Sequence, residues 1–313
     1  MNKKIVRADI LLALTACIWG FAFAAQRMSL DYIGPFTYNS VRFLLGSFVL
    51  LPLIFFRAKR NPAPPEKSRF SAFPPIITGL FLFTGATLQQ FGIFWTTAGN
   101  SGFLSGIYVV LVPVFGHFLG KKTGIQTWLG AALAFAGLFF VIGGVDLKTI
   151  NRGDLLTIIG GVFWTGHVLC IDTFSKKMDA IQLACGQFIV CGALSLLFAQ
   201  ADFLRQADFG ANFAAELGSP DFSPAMLLEA AVPIIYGGVF SVGVGYTLQV
   251  VGQQYAPPAH ASVILCTESI FAALGGALLL SERPAPEALL GFALMMSGML
   301  ATQWDINRKH RAG

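Results

Sequence analysis

Apolar runs alternate with short polar breaks along nearly the whole chain. A helix needs roughly 20 mainly apolar residues to cross the hydrocarbon core of a bilayer. Ten runs are read as such crossings: 8–25, 35–56, 75–95, 101–120 and 125–143, then 154–174, 181–200, 228–252, 259–280 and 287–304. Inside two of them the polar positions fall at helical spacing. GATLQQFG, at 85–92, puts Gly85, Gln89 and Gly92 on one stripe of a helix. GYTLQVVG, at 245–252, extends the same stripe through Gly238, Ser241, Gly245, Gln249 and Gly252.

These two segments are part of a longer duplication. RADILLALTACIWG, from Arg7, aligns without a gap on RGDLLTIIGGVFWT, from Arg152, at an offset of 145, so that Arg7, Asp9, Leu11 and Trp19 coincide with Arg152, Asp154, Leu156 and Trp164. Arg42-Phe43 aligns with Gln187-Phe188 at the same offset. The two Gln-bearing segments align at 160, and Leu129-Gly130…Gly137 aligns with Leu290-Gly291…Gly298 at 161. The change of offset falls in a long connection, where insertions are tolerated. Two copies of five helices are therefore expected, over 1–150 and 151–313. Because five is odd, the second copy starts from the opposite side of the membrane, which is an inverted-topology repeat. The basic start and apolar core at the N-terminus also fit a cleavable signal. Their full counterpart at 154–174 argues instead that residues 8–25 belong to the fold.

Charge adds sidedness. With the N-terminus inside, the inner segments hold fifteen of the 21 Lys and Arg, in groups at Lys3–Arg7, Arg57–Arg69, Lys121-Lys122, Lys176-Lys177 and Arg308–Arg311. The outer segments hold Arg27, Lys148, Arg152, Arg205 and Arg283, and Arg42 alone is within a run. This is the positive-inside pattern, with both termini cytoplasmic. It accounts for the net charge of +5 without a nucleic-acid partner. Composition agrees: 55% of the 313 residues are hydrophobic and 12% charged, against about a quarter charged in soluble domains. The fold class expected is an all-α integral membrane protein. The five Cys (17, 170, 185, 191 and 266) all lie in apolar runs and read as packing residues, with no metal site and no cofactor implied.

The ordered, duplicated motifs resemble the drug/metabolite transporter superfamily, specifically its ten-helix EamA-type branch. They are the Asp…Trp opening of both halves, Val112-Pro113-Val114-Phe115 and Glu268-Ser269-Ile270-Phe271, Leu280-Ser281-Glu282-Arg283, and the Leu-Gly…Gly endings. The resemblance spans nearly the whole chain. It implies a secondary transporter of the bacterial inner membrane, commonly an exporter of metabolites, amino acids or drugs. It also implies a central cavity lined mainly by helices 1, 3, 4, 6, 8 and 9, with helices 5 and 10 peripheral and able to mediate a homodimer.

The candidate site residues are mid-run polar and aromatic groups. Gln89 and Gln249, flanked by glycines, can line a cavity or join helices by amide hydrogen bonds, and Gln90 adds an amide on another face. Trp19 and Trp164 sit away from the interfacial belts where membrane Trp usually lies. They are either a substrate-facing wall or large packing residues, with His167 one turn from Trp164. Tyr108 and Tyr246 are further mid-run candidates. Glu268 lies near the middle of the ninth run. A charged acid at the bilayer centre costs about 2.5–3.5 kcal/mol on insertion scales, so it must be protonated, paired or facing water. Proton coupling, substrate contact and a structural hydrogen bond all meet that requirement. Arg42 reads as an interfacial anchor or a helix-to-helix pair, for instance with Asp31, or as a seat for a substrate carboxylate. His117 and Asp172 lie near cytoplasmic helix ends, as gate or interfacial residues.

No metalloprotease, phosphate-loop or serine-hydrolase signature occurs in the sequence. Uphill transport would then draw on an ion or solute gradient. A membrane enzyme using Glu268 and a His, and a non-transporting scaffold or sensor, are the alternatives. A cavity with aromatics, amides and few charges suits neutral or zwitterionic amphiphiles better than polyanions.

Overall fold

In a bilayer a backbone N–H or C=O has no water to bond, so each apolar run must satisfy its own amides by closing into a helix. The computed structural model describes residues 3–60, 71–141, 150–205, 224–283 and 286–311, and among these there is no strand. Lys67, Arg69 and Lys148 of the charge pattern, and the rest of residues 61–70, 142–149 and 206–223, lie outside the described residues. The helices are α1 (Lys3–Ser29), α2 (Pro35–Arg60), α3 (Phe73–Trp95), α4 (Ala98–Ser105), α5 (Tyr108–Phe118) and α6 (Ile125–Val141). There follow α7 (Arg152–Phe174), α8 (Ala180–Arg205), α9 (Pro224–Glu229) and α10 (Ala231–Ile235). A π-helical segment (Tyr236–Tyr246) leads into α11 (Thr247–Gln253), then α12 (Pro258–Leu265), α13 (Glu268–Leu279) and α14 (Ala288–Arg311).

Among the described residues, eight stretches are long and apolar enough to cross a membrane: α1, α2, α3, α4 with α5, α7, α8, α10 through α11, and α12 with α13. The apolar helices at Ile125–Phe140 and Ala288–Thr302 are shorter. The protein is therefore an all-helical, multi-pass integral membrane protein.

Three elements depart from the regular helices expected. First, α1 continues past residue 25 to Ser29, carrying Gln26 into the buried interior. Second, the fourth and ninth runs are each broken. The break falls at Gly106-Ile107 in one and Cys266-Thr267 in the other, positions 160 apart. Third, the eighth run is π-helical through Tyr236–Tyr246. A regular α stripe from Gly238 to Gly252 therefore does not form. Four glycines in this segment, at 237, 238, 243 and 245, make the wide turn tolerable and bring its backbone close to α1 and α2.

Helix ends follow local chemistry. Asn151 and Asp154 form a reciprocal capping box that starts α7. The chain turns after α5 at Gly120 (φ 74°) and after α13 at Ser281 (φ 58°). These two residues are repeat mates at an offset of 161.

Packing is reciprocal between the halves. α3 lies against α7, as α11 and the π segment lie against α1; α8 packs on α3, as α2 packs on the π segment. α1 meets α13 while α7 meets α4 and α5, and the pairs α2–α8 and α6–α14 close the bundle. Glycines set the closest approaches. A Cβ on Gly92 would strike Thr157 and the carbonyl of Gly153, and one on Gly252 would come 3.1 Å from Leu12 and 3.3 Å from the Ala8 carbonyl. Ala8 and Leu12 are the repeat mates of Gly153 and Thr157. In the α6–α14 seam, a Cβ on Gly130 would lie 2.6 Å from the Gly298 carbonyl, and one on Gly298 the same distance from that of Gly130.

Candidate functional site

Trp19, Ala22, Phe23 and Gln26 fall at helical spacing on α1 and face a cavity at the meeting of the two halves. Its empty volume, open solvent included, is about 480 Å³. Nine of the twelve candidate residues line it: Trp19, Arg42, Gln89, Tyr108, Trp164, His167, Tyr246, Gln249 and Glu268. Gln90, His117 and Asp172 do not.

One amide organises the first-half wall. Gln89 Oε1 accepts from Trp164 Nε1 (3.0 Å) and from Ser105 Oγ (3.1 Å), and its Nε2 donates to Gln26 Oε1 (3.1 Å). Gly85, one turn away, lets the indole of Trp164 lie against α3, since a Cβ there would be 3.2 Å from it. In the second half, Gly245 receives Trp19, whose Nε1 donates to the Ser241 carbonyl at 3.2 Å. Thr15 Oγ1 donates to the Gly245 carbonyl at 3.2 Å. Gln249 is buried at 1% exposure, and its Oε1 has no hydrogen-bond partner among the described residues.

Tyr246 is the aromatic hub. Its ring centroid lies 4.4 Å from that of Trp19, 6.2 Å from Trp164 at 27° between planes, and 5.9 Å from His167. His167 Nε2 is 2.9 Å from Gln187 Oε1, while His167 Nδ1 has no partner among the described residues.

The two helix breaks meet in the same cavity. Tyr108 is the first residue of α5 and Glu268 the first of α13, and they are repeat mates at the offset of 160. Tyr108 Oη donates to Glu268 Oε1 at 3.1 Å. The acid is 5% exposed and faces the cavity, so two of the conditions expected of it, a partner and a polar void, are both present.

Arg42 departs from its expected surroundings. It does not pair with Asp31, which lies 3.9 Å from Arg27 instead, and at 2% exposure it is no interfacial anchor. Its Nε donates to Asn39 Oδ1 at 3.0 Å, and its guanidinium sits over the rings of Tyr38 (5.0 Å) and Phe43 (4.8 Å). The length of its side chain, which would permit snorkelling, is used to reach inward.

The three residues off the cavity have other surroundings. Gln90 Nε2 donates to the Gln26 carbonyl (3.1 Å) and to Ser29 Oγ (3.4 Å), joining α3 to α1. His117 is exposed beside Phe118 at the end of α5. Asp172 is buried and pairs with Lys121 and Lys176, tying the ends of α5 and α7 together. At the opposite end, Glu282 accepts from the backbone N–H of Ala98 (2.8 Å) and Gly99 (3.1 Å) at the start of α4. Among the described residues no three His, Cys, Asp or Glu side chains cluster as metal ligands would.

Sequence reasoning missed Gln26, because the first run was ended at residue 25; the spacing from Trp19 would have found it. It also treated Tyr108 and Glu268 separately, although the offset that joins Gln89 to Gln249 joins them too.

A model of the EamA-like transporter family matches residues 6–143 and again 151–303. The chain belongs to the EamA-like transporter family. As a member it is a multi-pass membrane transporter, with the lipid bilayer and a small-molecule substrate as its partners. A protein named an uncharacterized transporter from Archaeoglobus fulgidus is 29% identical over 95% of this chain and 86% of its own length. One named an uncharacterized inner membrane transporter, YedA, from Escherichia coli K12 is 28% identical over 47% of each chain. A solved crystal structure superposes with a TM-score of 0.70 at 17% identity, over 96% of this chain and 98% of that one, and shows the same fold.

Proposed function

We propose that the protein is a secondary transporter that moves a small organic solute across the bacterial inner membrane by alternating access. Its ten crossings form two inverted five-helix repeats, 1–150 and 151–313, with both termini in the cytoplasm. Export is the direction that the resemblance of its motifs implies. The carrying observation is that the cavity walls are repeat mates: Trp19 with Trp164, Gln89 with Gln249, and Tyr108 with Glu268. A site on a pseudo-twofold axis can face either side when the halves rock, because each half offers the same surface to the other. The reciprocal packing of α3 on α7 and of α11 on α1 supports this reading. So do the broken helices, which place backbone ends and polar side chains at the centre of the bundle.

Different chemistry at the two ends supplies the gates. On the cytoplasmic side, Asp172 holds Lys121 and Lys176, and Asp9 Oδ1 lies 2.7 Å from His260 Nε2. On the outer side, Glu282 holds the α4 N-terminus, and Asp154 accepts from Thr96 at 2.7 Å. Each must open in turn. Glu268 is the coupling residue, exchanging its bond from Tyr108 for a proton or a substrate contact as access switches. A homodimer through helices 5 and 10 would have to use outward side chains such as Leu129, Phe135, Leu289 and Leu300, since the glycine faces of α6 and α14 are spent on each other.

The test is flux of the purified chain in proteoliposomes, with an imposed pH gradient of either sign. Solute movement in exchange and against a gradient is expected. Compounds that bind with no flux in either direction would end the reading.

A further inference from the structure

We infer that Arg42 is the seat of a substrate carboxylate, so that the solute is a small organic acid with one carboxylate and a planar apolar body. That the ligand is also carried across rests on the transport mechanism proposed above; that it binds does not.

Arg42 is 2% exposed, yet among the described residues no carboxylate pairs with it. The acid sharing its cavity, Glu268, is held by Tyr108. A buried charge without a counter-charge costs several kcal/mol, and a guanidinium, unlike a carboxyl, cannot shed that charge by moving a proton. Ionisable groups at this depth persist where they face a cavity and mark a substrate path.

The group is also held in place ahead of any ligand. Asn39 accepts from its Nε and is itself tied to α3 by a 3.4 Å bond from its Nδ2 to the Ala86 carbonyl. Tyr38, beneath the guanidinium, donates to the Pro233 carbonyl at 3.1 Å. Gly237 in the π segment leaves room for the Tyr38 ring beneath the guanidinium, since a Cβ there would strike the Tyr38 hydroxyl. With Nε committed to Asn39 and the Tyr38 hydroxyl a second neighbour, the guanidinium still has N–H donors that no carboxylate among the described residues takes up, and these can form a two-point bond to one.

The rest of the cavity sets the class. No Lys and no second Arg lines it, so it offers one permanent positive charge. A phosphate monoester, with about two negative charges, would keep one uncompensated. Trp19, Tyr246 and Trp164 provide flat apolar walls. The unpartnered Oε1 of Gln249 can accept one N–H or O–H from the ligand body.

The experiment is thermal unfolding of the full chain in detergent, titrated with acids and their matched primary amides. The pairs are phenylacetate with phenylacetamide, 3-phenylpropanoate with 3-phenylpropanamide, and phenylalanine with phenylalaninamide. Each acid is expected to raise the midpoint at concentrations at least tenfold below its amide. Arg42→Gln is expected to abolish that preference and Arg42→Lys to reduce it. Phenylalanine binding above phenylpropanoate would identify amino acids as the source of the carboxylate, and the reverse order simple organic acids; both support the seat. The inference is overturned if amides match acids on the wild type, if no acid of the series stabilises it, or if Arg42→Gln keeps the preference. Should Arg42→Gln not fold, the wild-type pairs and Arg42→Lys decide. Flux then separates the two readings. Binding of acids without movement ends transport but leaves the seat, whereas equal flux of acids and amides ends the seat but leaves transport.

Discussion

Gln89 and Gln249 occupy the same place in the two halves, each a turn from a glycine that receives the other half's Trp. Their hydrogen bonding is opposite. Gln89 is bonded through both its amide oxygen and nitrogen, to Trp164, Ser105 and Gln26, whereas the oxygen of Gln249 has no partner among the described residues. The same contrast recurs elsewhere. Tyr108 donates where Glu268 accepts, and Lys121 joins an ion cluster where its mate Glu282 caps a helix. Duplication has kept the small residues that let the backbones meet, while the polar groups have diverged. At this pair of amides the first half supplies a bonded wall and the second a free acceptor.

Mutation pairs at matched positions break or sharpen this contrast. The largest effect is expected from the skeleton. Gly92→Val drives a side chain into Thr157 and the Gly153 carbonyl, while Gly252→Val meets the more pliable Leu12. Overpacking costs about 1–3 kcal/mol or more, so Gly92→Val should lose its monodisperse peak in size-exclusion chromatography while Gly252→Val keeps a reduced one. Equal losses would mean that the two seams are alike in tolerance as well as in geometry.

Next come the mates at the two helix breaks. Glu268→Gln should flatten the dependence of flux on pH, whereas Tyr108→Phe should slow flux about tenfold, the worth of one bond to a charged group, and keep the pH dependence. Parallel flux–pH curves for wild type and Glu268→Gln would remove the coupling role.

The amides follow. Gln89→Leu orphans three buried groups and should cost roughly 1–3 kcal/mol of stability. Gln249→Leu removes an oxygen that has no partner among the described residues and should cost less stability than Gln89→Leu. Both should impair transport, and thermal melts beside flux assays separate the cause. Last come the indoles, with a smaller loss than Gln89→Leu. Trp19→Phe gives up one bond to a backbone carbonyl, about 0.6 kcal/mol in a membrane, and should cost less than Trp164→Phe, which also frees Gln89.

The helices were legible because hydrophobic periodicity and repeat offsets are properties of sequence alone. Nine of the mid-run polar residues picked by that logic line the cavity, since a polar group in a lipid-spanning run has few other places to go. What was not legible depends on three dimensions. The depth of Arg42 was misjudged because its distance along α2 says nothing of whether the side chain turns to the headgroups or to the bundle. Gln26 was lost to a boundary that Gln26 and Ser29 extend by bonding back to the helix. The π segment was invisible because glycine-rich sequence permits a wide turn without demanding it. Asp172 was placed at the right helix end and Lys176 is only four residues on, but Lys121, from beyond the end of α5, meets it only in the fold.

The seam between α6 and α14 has a consequence for how the protein is made. Gly130 and Gly137 on α6 emerge from the ribosome long before Gly298 and Gly291 on α14. Domains generally form from the N-terminal end during synthesis. The notched face of α6 must therefore wait, exposed to lipid or to insertion machinery, while the whole second half is threaded in. The bundle is fastened last, at its edge, and a truncation that spares every cavity residue but removes α14 would leave α6 without its fitted neighbour.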